Sequence, residues 1–271
     1  MNQKSAASRR PATRFRPTPR DRDVFAAIRT HGRLTASQVR RLFFRRPDGL
    51  ASAQTVNVRL RTLVDLGYLE VIVVDRGRGA GPYAYGLTRR AMTFLGKATV
   101  SRRRGGLGPV WHQLEISEFR VRLELALEAA GGSLVDWTGE PALRSLLKGQ
   151  RDWPIPDALV HWRLPGREGA FFLEWDRDTE SLATLVAKLP KYEALLRARG
   201  HRLLQPGLGL RPRLALVVSP SRRQRLVRHL VGPASRGALT TAVASAGDAL
   251  GRPLEPVWWR SDSRAERSLF S

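Results

Sequence analysis

The sequence predicts an α+β chain in two parts: a winged helix-turn-helix over residues 19–96, then an α/β domain with a mixed sheet over residues 111–271. Three observations predict it. Apolar residues recur at helical spacing in three successive segments before residue 67. A glycine-rich hairpin pattern follows, and beyond residue 130 short apolar strands alternate with helical segments. At 271 residues the chain is long enough for two modest cores.

Residues 1–18 are basic and broken by proline, and read as a disordered arm. Val24, Phe25 and Ile28 give the apolar stripe of a first helix ending near His31 and Gly32. Thr35 is placed to cap a second helix carrying Val39, Leu42 and Phe43. A third helix from Ser52 to Leu66 puts Ala53, Val56, Leu60, Leu63 and Val64 on one face, and Gln54, Asn57, Val58 and Arg61 on the other. Gly67 closes it. Tyr68–Val74 and Tyr83–Leu87 read as strands flanking the tip 75–82, which carries Arg76 and Arg78. Thr88–Leu95 is a short helix, and residues 97–110 form a basic, glycine-rich linker.

The second part opens with an amphipathic helix, His112–Ala130, suited to roof the domain or to pair two chains. Leu134–Trp137 is a strand and Pro141–Leu147 a helix. Pro156–Leu164 and Gly169–Asp176 pair across the turn Pro165-Gly166. One helix is expected over Ser181–Arg199, a strand at Arg213–Val218, helices at Ser221–Leu230 and Ala238–Leu250, and a last strand at Val257–Trp259.

Charge narrows the function. There are 47 Lys and Arg against 24 Asp and Glu, a net of +23, and residues 1–110 hold 23 of the bases but only 6 of the acids. A field of that sign draws in polyanions, so double-stranded DNA is the expected partner and the first part its main contact. The third helix would enter the major groove. There Gln54 and Asn57 suit adenine, Arg61 suits guanine and Val58 a thymine methyl, while Arg76 and Arg78 meet the backbone. No cysteine is present, which excludes disulfides and thiolate metal sites. Apolar runs are too short for a membrane span and the start lacks a signal sequence, so a cytoplasmic protein with no membrane partner is expected.

The strand at residues 171–176 alternates Phe171, Leu173 and Trp175 with Phe172, Glu174 and Asp176, placing the two acids about 7 Å apart on one face. Acids in so apolar a strand need a partner, either a divalent cation or Lys188, which shares a helical face with Lys191 and Tyr192. With the Pro156-Asp157 pair, this set resembles the core of the PD-(D/E)xK nuclease superfamily. The resemblance implies a restriction-endonuclease-like core with Asp157, Glu174 and Asp176 as acids around Mg²⁺. Asp157 and Glu174 would be catalytic together with Lys188, which would orient the attacking water. Asp176 stands where that family carries its lysine, so Lys188 would act from the next helix. Glu118 is a further acid for the set.

The strings Tyr85–Thr88 (YGLT), His112 at a helix start, and "PDALV…FFLEWDRDTES…KLPKY" together resemble the replication-relaxation family, found on plasmids and other mobile elements. That likeness implies DNA binding in replication or its relaxation, without an established reaction. Nicking-relaxase chemistry is not implied: the five histidines are scattered and the first tyrosine is Tyr68. Three functions stay open. The favoured one is a non-catalytic DNA-binding protein in replication control. The others are a Mg²⁺-dependent endonuclease targeted by the winged helix, and a transcriptional regulator whose second domain senses or forms a homodimer.

Overall fold

The computed structural model describes residues 15–74, 83–96, 107–150, 152–205, 208–219, 221–234 and 239–271. The first helix, α1 (Pro19–His31), starts where the Thr18 hydroxyl accepts from the Asp21 backbone N–H and the Asp21 carboxylate answers the Thr18 N–H. It ends at Gly32, whose φ of 80° suits glycine and whose missing Cβ leaves room for the Gln113 side chain. Strand β1 (Leu34–Thr35) leads into α2 (Ala36–Phe43), capped by Thr35 and Gln38 in the same reciprocal way. A small hairpin that the sequence did not suggest, β2 (Arg45–Arg46) with β3 (Gly49–Leu50), precedes α3.

Helix α3 (Ala53–Asp65) is capped by Ser52. It closes with Tyr68 N–H bonded to Leu63 O and Gly67 N–H to Val64 O, the paired reverse bonds that a left-handed glycine permits. Val56, Leu60 and Leu63 are buried, and they pack with Val24, Phe25, Ile28 and Val39. Ala53, expected on that inner face, is exposed at the first turn, where the helix has not yet reached the core. Strands β4 (Leu69–Val73) and β5 (Tyr83–Leu87) pair antiparallel and β1 joins β5, giving the order β1-β5-β4. Helix α4 (Arg89–Phe94) follows.

Helix α5 (Leu107–Ala129) begins inside the stretch expected to be linker. It is buried on two sides. Val121 belongs to the apolar cluster of the first half, while Phe119, Leu123 and Leu127 belong to that of the sheet. It therefore roofs the second part, one of the two roles its sequence leaves open, and grips the first as well. Gln38 and Arg41 of α2 reach its Glu118 at 3.1 and 2.5 Å.

The second half is a seven-stranded mixed sheet. Its elements are β6 (Ser133–Gly139), α6 (Glu140–Leu146), β7 (Ala158–Leu164), β8 (Arg167–Asp176), α7 (Leu182–Ala187), α8 (Leu189–Arg197), α9 (His201–Leu204), β9 (Arg213–Val218), α10 (Ser221–Ala234), β10 (Thr241–Ser245), α11 (Ala246–Gly251), β11 (Trp258–Arg260) and β12 (Ala265–Arg267). The order is β12-β11-β10-β9-β8-β7-β6, with β8, β9 and β10 parallel and the other pairs antiparallel. One face packs on α5 and α11, the other on α6 to α10. Two expectations are corrected. The single helix over Ser181–Arg199 is two helices meeting at Lys188, because Pro190 has no N–H to continue the ladder. Residues 241–245, expected within a helix, form β10: all five are buried and lie beside β9, where a short apolar run pairs as readily as it coils. Among the described residues no helix is long and apolar enough to cross a membrane.

Candidate functional site

The acidic set sits at the C-terminal end of β8, where two parallel strands stop and their connections diverge. The β7–β8 register pairs Ala158 with Leu173, so Asp157 arrives level with Glu174. Its Oδ2 accepts the Trp175 backbone N–H at 2.8 Å and its Oδ1 lies 2.9 Å from His112 Nε2 on α5. Burial pulls the His112 pKa down, but the hydrogen bond and charge of Asp157, helped by Glu115, outweigh it and leave the imidazole above its usual value.

Glu174 turns the other way, into the α8 layer. Its Oε2 receives Lys188 Nζ at 2.9 Å and its Oε1 the hydroxyl of the fully buried Tyr192. The helical backbone persists through Lys188, so Lys188 and Tyr192 share a face as their spacing suggests, while Lys191 is exposed. Burial pushes the Glu174 carboxyl up to about 7 against the pull of Lys188. Lys188 itself is held above the ordinary lysine value: burial is outweighed by Glu174 and by Glu180, 2.9 Å away.

Asp176 is taken by Arg223 of α10, 2.5 Å from its Oδ2, while its Oδ1 accepts the Asp178 N–H at 3.0 Å. Arg223 also bonds Asp178 and the Glu180 carbonyl, fixing a turn in which Asp178 takes a φ of 63°. Nothing in the local sequence singles out Arg223, 47 residues beyond its partner. Arg177 reaches back to Glu115 of α5 at 3.1 Å. The string Glu174, Asp176, Arg177, Glu180 is thus a set of ion pairs to three helices.

A divalent cation requires several oxygens free to converge on one point. Here both oxygens of each acid are engaged, by His112 and a backbone N–H, by Lys188 and Tyr192, and by Arg223 and a backbone N–H. Asp157 and Glu174 are engaged from helices on opposite faces of the sheet. Among the described residues no group of three His, Cys, Asp or Glu is placed to hold a metal. The residues as arranged do not fit Mg²⁺. Glu118, a further candidate acid, is spent elsewhere, on Arg41, Arg122 and Gln38.

The second candidate surface is the outer face of α3. Gln54, Asn57, Val58 and Arg61 are all exposed there, Val58 by 60%. Arg59 points instead to the buried Asp21, with Nε to Oδ1 at 2.9 Å. Arg76 and Arg78 lie outside the described residues.

A family model described as replication-relaxation matches residues 25–209, more than half of the chain. No curated protein matches it. Among solved structures, restriction endonuclease FokI bound to DNA is similar at 9% identity and a TM-score of 0.28, covering 84% of this chain. The match spans 43% of that protein's length, too distant a likeness to fix fold or activity.

Proposed function

Since the chain belongs to the replication-relaxation family, we propose that it binds duplex DNA in the control of replication on a plasmid or other mobile element, with residues 19–96 acting as a winged helix. The outer face of α3 carries this reading. Gln54, Asn57 and Arg61 can each pair bidentately with a base edge, and the exposed Val58 between them suits a thymine methyl. The helix behind them is stiff: Ser52 caps it, Val56, Leu60 and Leu63 anchor it, and Arg59 is pinned to Asp21. The +17 net charge of residues 1–110 supports a polyanionic partner. In this reading the β4–β5 hairpin is the wing, bringing Arg76 and Arg78 to the backbone.

The second half then acts as a scaffold rather than a cutting domain. Its acids are neutralised by Lys188, Arg223 and His112, so they hold helices to the sheet. The Glu118 contacts to Gln38 and Arg41 fasten α2, and through it the reading helix, to α5.

Selection of duplexes from a randomised pool, followed by titration of the preferred sequence, tests the proposal. Asn57→Ala and Arg61→Ala should each lose about 1–3 kcal/mol on that sequence and far less on unrelated duplex. Both variants should melt like the parent, since neither side chain is packed. Unchanged affinity and preference in both would place docking elsewhere.

A further inference from the structure

A cleft of about 230 Å³ lies where the end of α1 meets α5 and the junction of β6 with α6. Arg29, Arg33 and Arg120 line it with His31 and His112, and Asp157 stands at one side. Its donors are poorly matched by acceptors. Arg120 has no carboxylate within ion-pairing distance among the described residues, and its Nε and Nη1 are buried without a hydrogen bond. Its guanidinium lies 5.2 Å from the centroid of the Trp137 ring. The Nε of Arg33 and the Nδ1 of the buried His31 also lack hydrogen-bond partners, although Arg33 Nη2 lies 3.7 Å from the exposed Glu70 carboxylate.

Leaving a charged donor buried and unpaired is costly, and Arg120 does so beside two further buried nitrogens, Arg33 Nε and the neutral His31 Nδ1, that make no hydrogen bond. The titration shifts agree. Burial pulls Arg120 down to about 10, and burial with the neighbouring Arg120 charge pulls His31 down to about 3. The acids at the cleft do not answer this need: Asp157 is taken by His112 and the Trp175 N–H, and Glu140 by Arg144 at 2.6 Å. What is missing is an anion from outside.

We infer that this cleft binds a phosphate group, held by Arg120 and Arg33 in its wall and Arg29 at its mouth. A tetrahedral oxyanion offers acceptors in several directions at once, which suits guanidinium forks converging from two helices and a turn. The volume exceeds one phosphate and falls below the range of about 300–1,000 Å³ usual for larger ligands, so a phosphate with part of a sugar fits. Two sources share this chemistry: a backbone phosphate of bound DNA, and a free nucleotide. Either would bridge α1 of the first half to α5 and β6 of the second. The inference stands apart from the reading of α3, because the site needs no DNA to be detected.

The test uses the full chain, its Arg29→Ala and Arg120→Gln variants, and Arg267→Ala as an exposed control remote from the cleft. Melting midpoints and calorimetric affinities are measured with inorganic phosphate, pyrophosphate and dAMP at fixed ionic strength. Duplex affinity is then measured across a salt series. A nucleotide site predicts phosphate-dependent stabilisation in the parent and in Arg267→Ala, weakened at least 10-fold in Arg29→Ala and Arg120→Gln. A DNA-phosphate site predicts that the slope of log K against log salt shrinks by about one in Arg29→Ala and not in Arg267→Ala. If Arg120→Gln fails to fold, Arg29→Ala decides, since that side chain is exposed. Identical phosphate binding and identical salt slopes in parent, Arg29→Ala and control would overturn the site. Duplex binding lost in Asn57→Ala but phosphate binding kept separates the cleft from α3.

Discussion

Replacing Glu174 with Gln should make the protein gain stability relative to the parent as pH rises. The carboxyl is buried, with Lys188 on one oxygen and Tyr192 on the other, and burial lifts its pKa from 4.5 to about 7. In an unfolded chain the same group ionises near its ordinary value. Between the two values the folded state holds the proton more tightly, so the stability this group contributes below the unfolded pKa is lost as pH climbs through the folded one. Over that interval the loss is about 3 kcal/mol, an upper bound because Lys188 shares the charge. Gln keeps the shape and an acceptor for Tyr192 but does not titrate, and Lys188 retains Glu180. Urea unfolding of both proteins at pH 5 and pH 8 measures the difference. Other titrating groups, His112 and His31 among them, shift both proteins alike and cancel. The gap should move by up to about 3 kcal/mol in favour of Glu174→Gln between the two pH values. A gap that stays constant would refute the assignment of Glu174 as a buried, proton-retaining acid.

Other outcomes follow from the same geometry. Asp21→Ala should cost about 2–3 kcal/mol in chemical denaturation, because it removes the Thr18 cap partner and strands Arg59, which is exposed enough to recover some hydration. His31, neutral when folded with a pKa of about 3 against 6.5 unfolded, should erode stability as pH falls below about 6.5. His31→Leu should flatten that acid limb between pH 4 and 6.5, and an unchanged limb would contradict the burial argument.

Much of the first half was legible because its signals are local. Thr35 caps its helix from within three residues and the inner stripe Val56, Leu60, Leu63 falls where a period of 3.6 puts it, whereas Thr18, read as the end of a disordered arm, caps α1. Two-sided burial was harder to read. Helix α5 serves two cores, so its apolar residues spread around the helix instead of declaring one face. Strand β10 reads as helix in the sequence because its residues are buried on both sides and carry no alternation. At the acidic set, the same-face placement of Glu174 and Asp176 follows from strand alternation, while the sequence left the partner of Glu174 open between a divalent cation and Lys188. The fate of Asp176 did not: Arg223 comes from a helix beyond another strand, and only the assembled sheet brings the two together. Pro190 offered a readable signal for the break at Lys188, and the helical face nevertheless survives that break.

The most direct test of the account is incubation of the full chain with supercoiled plasmid, in Mg²⁺ and separately in EDTA, followed by electrophoresis before and after removal of the protein. Retarded plasmid in both buffers and intact supercoils once the protein is stripped away are expected if α3 docks on the duplex while His112, Lys188 and Arg223 occupy the acids. Nicking that requires Mg²⁺ and disappears in Asp157→Ala and Glu174→Ala would contradict it, as would plasmid that is never retarded.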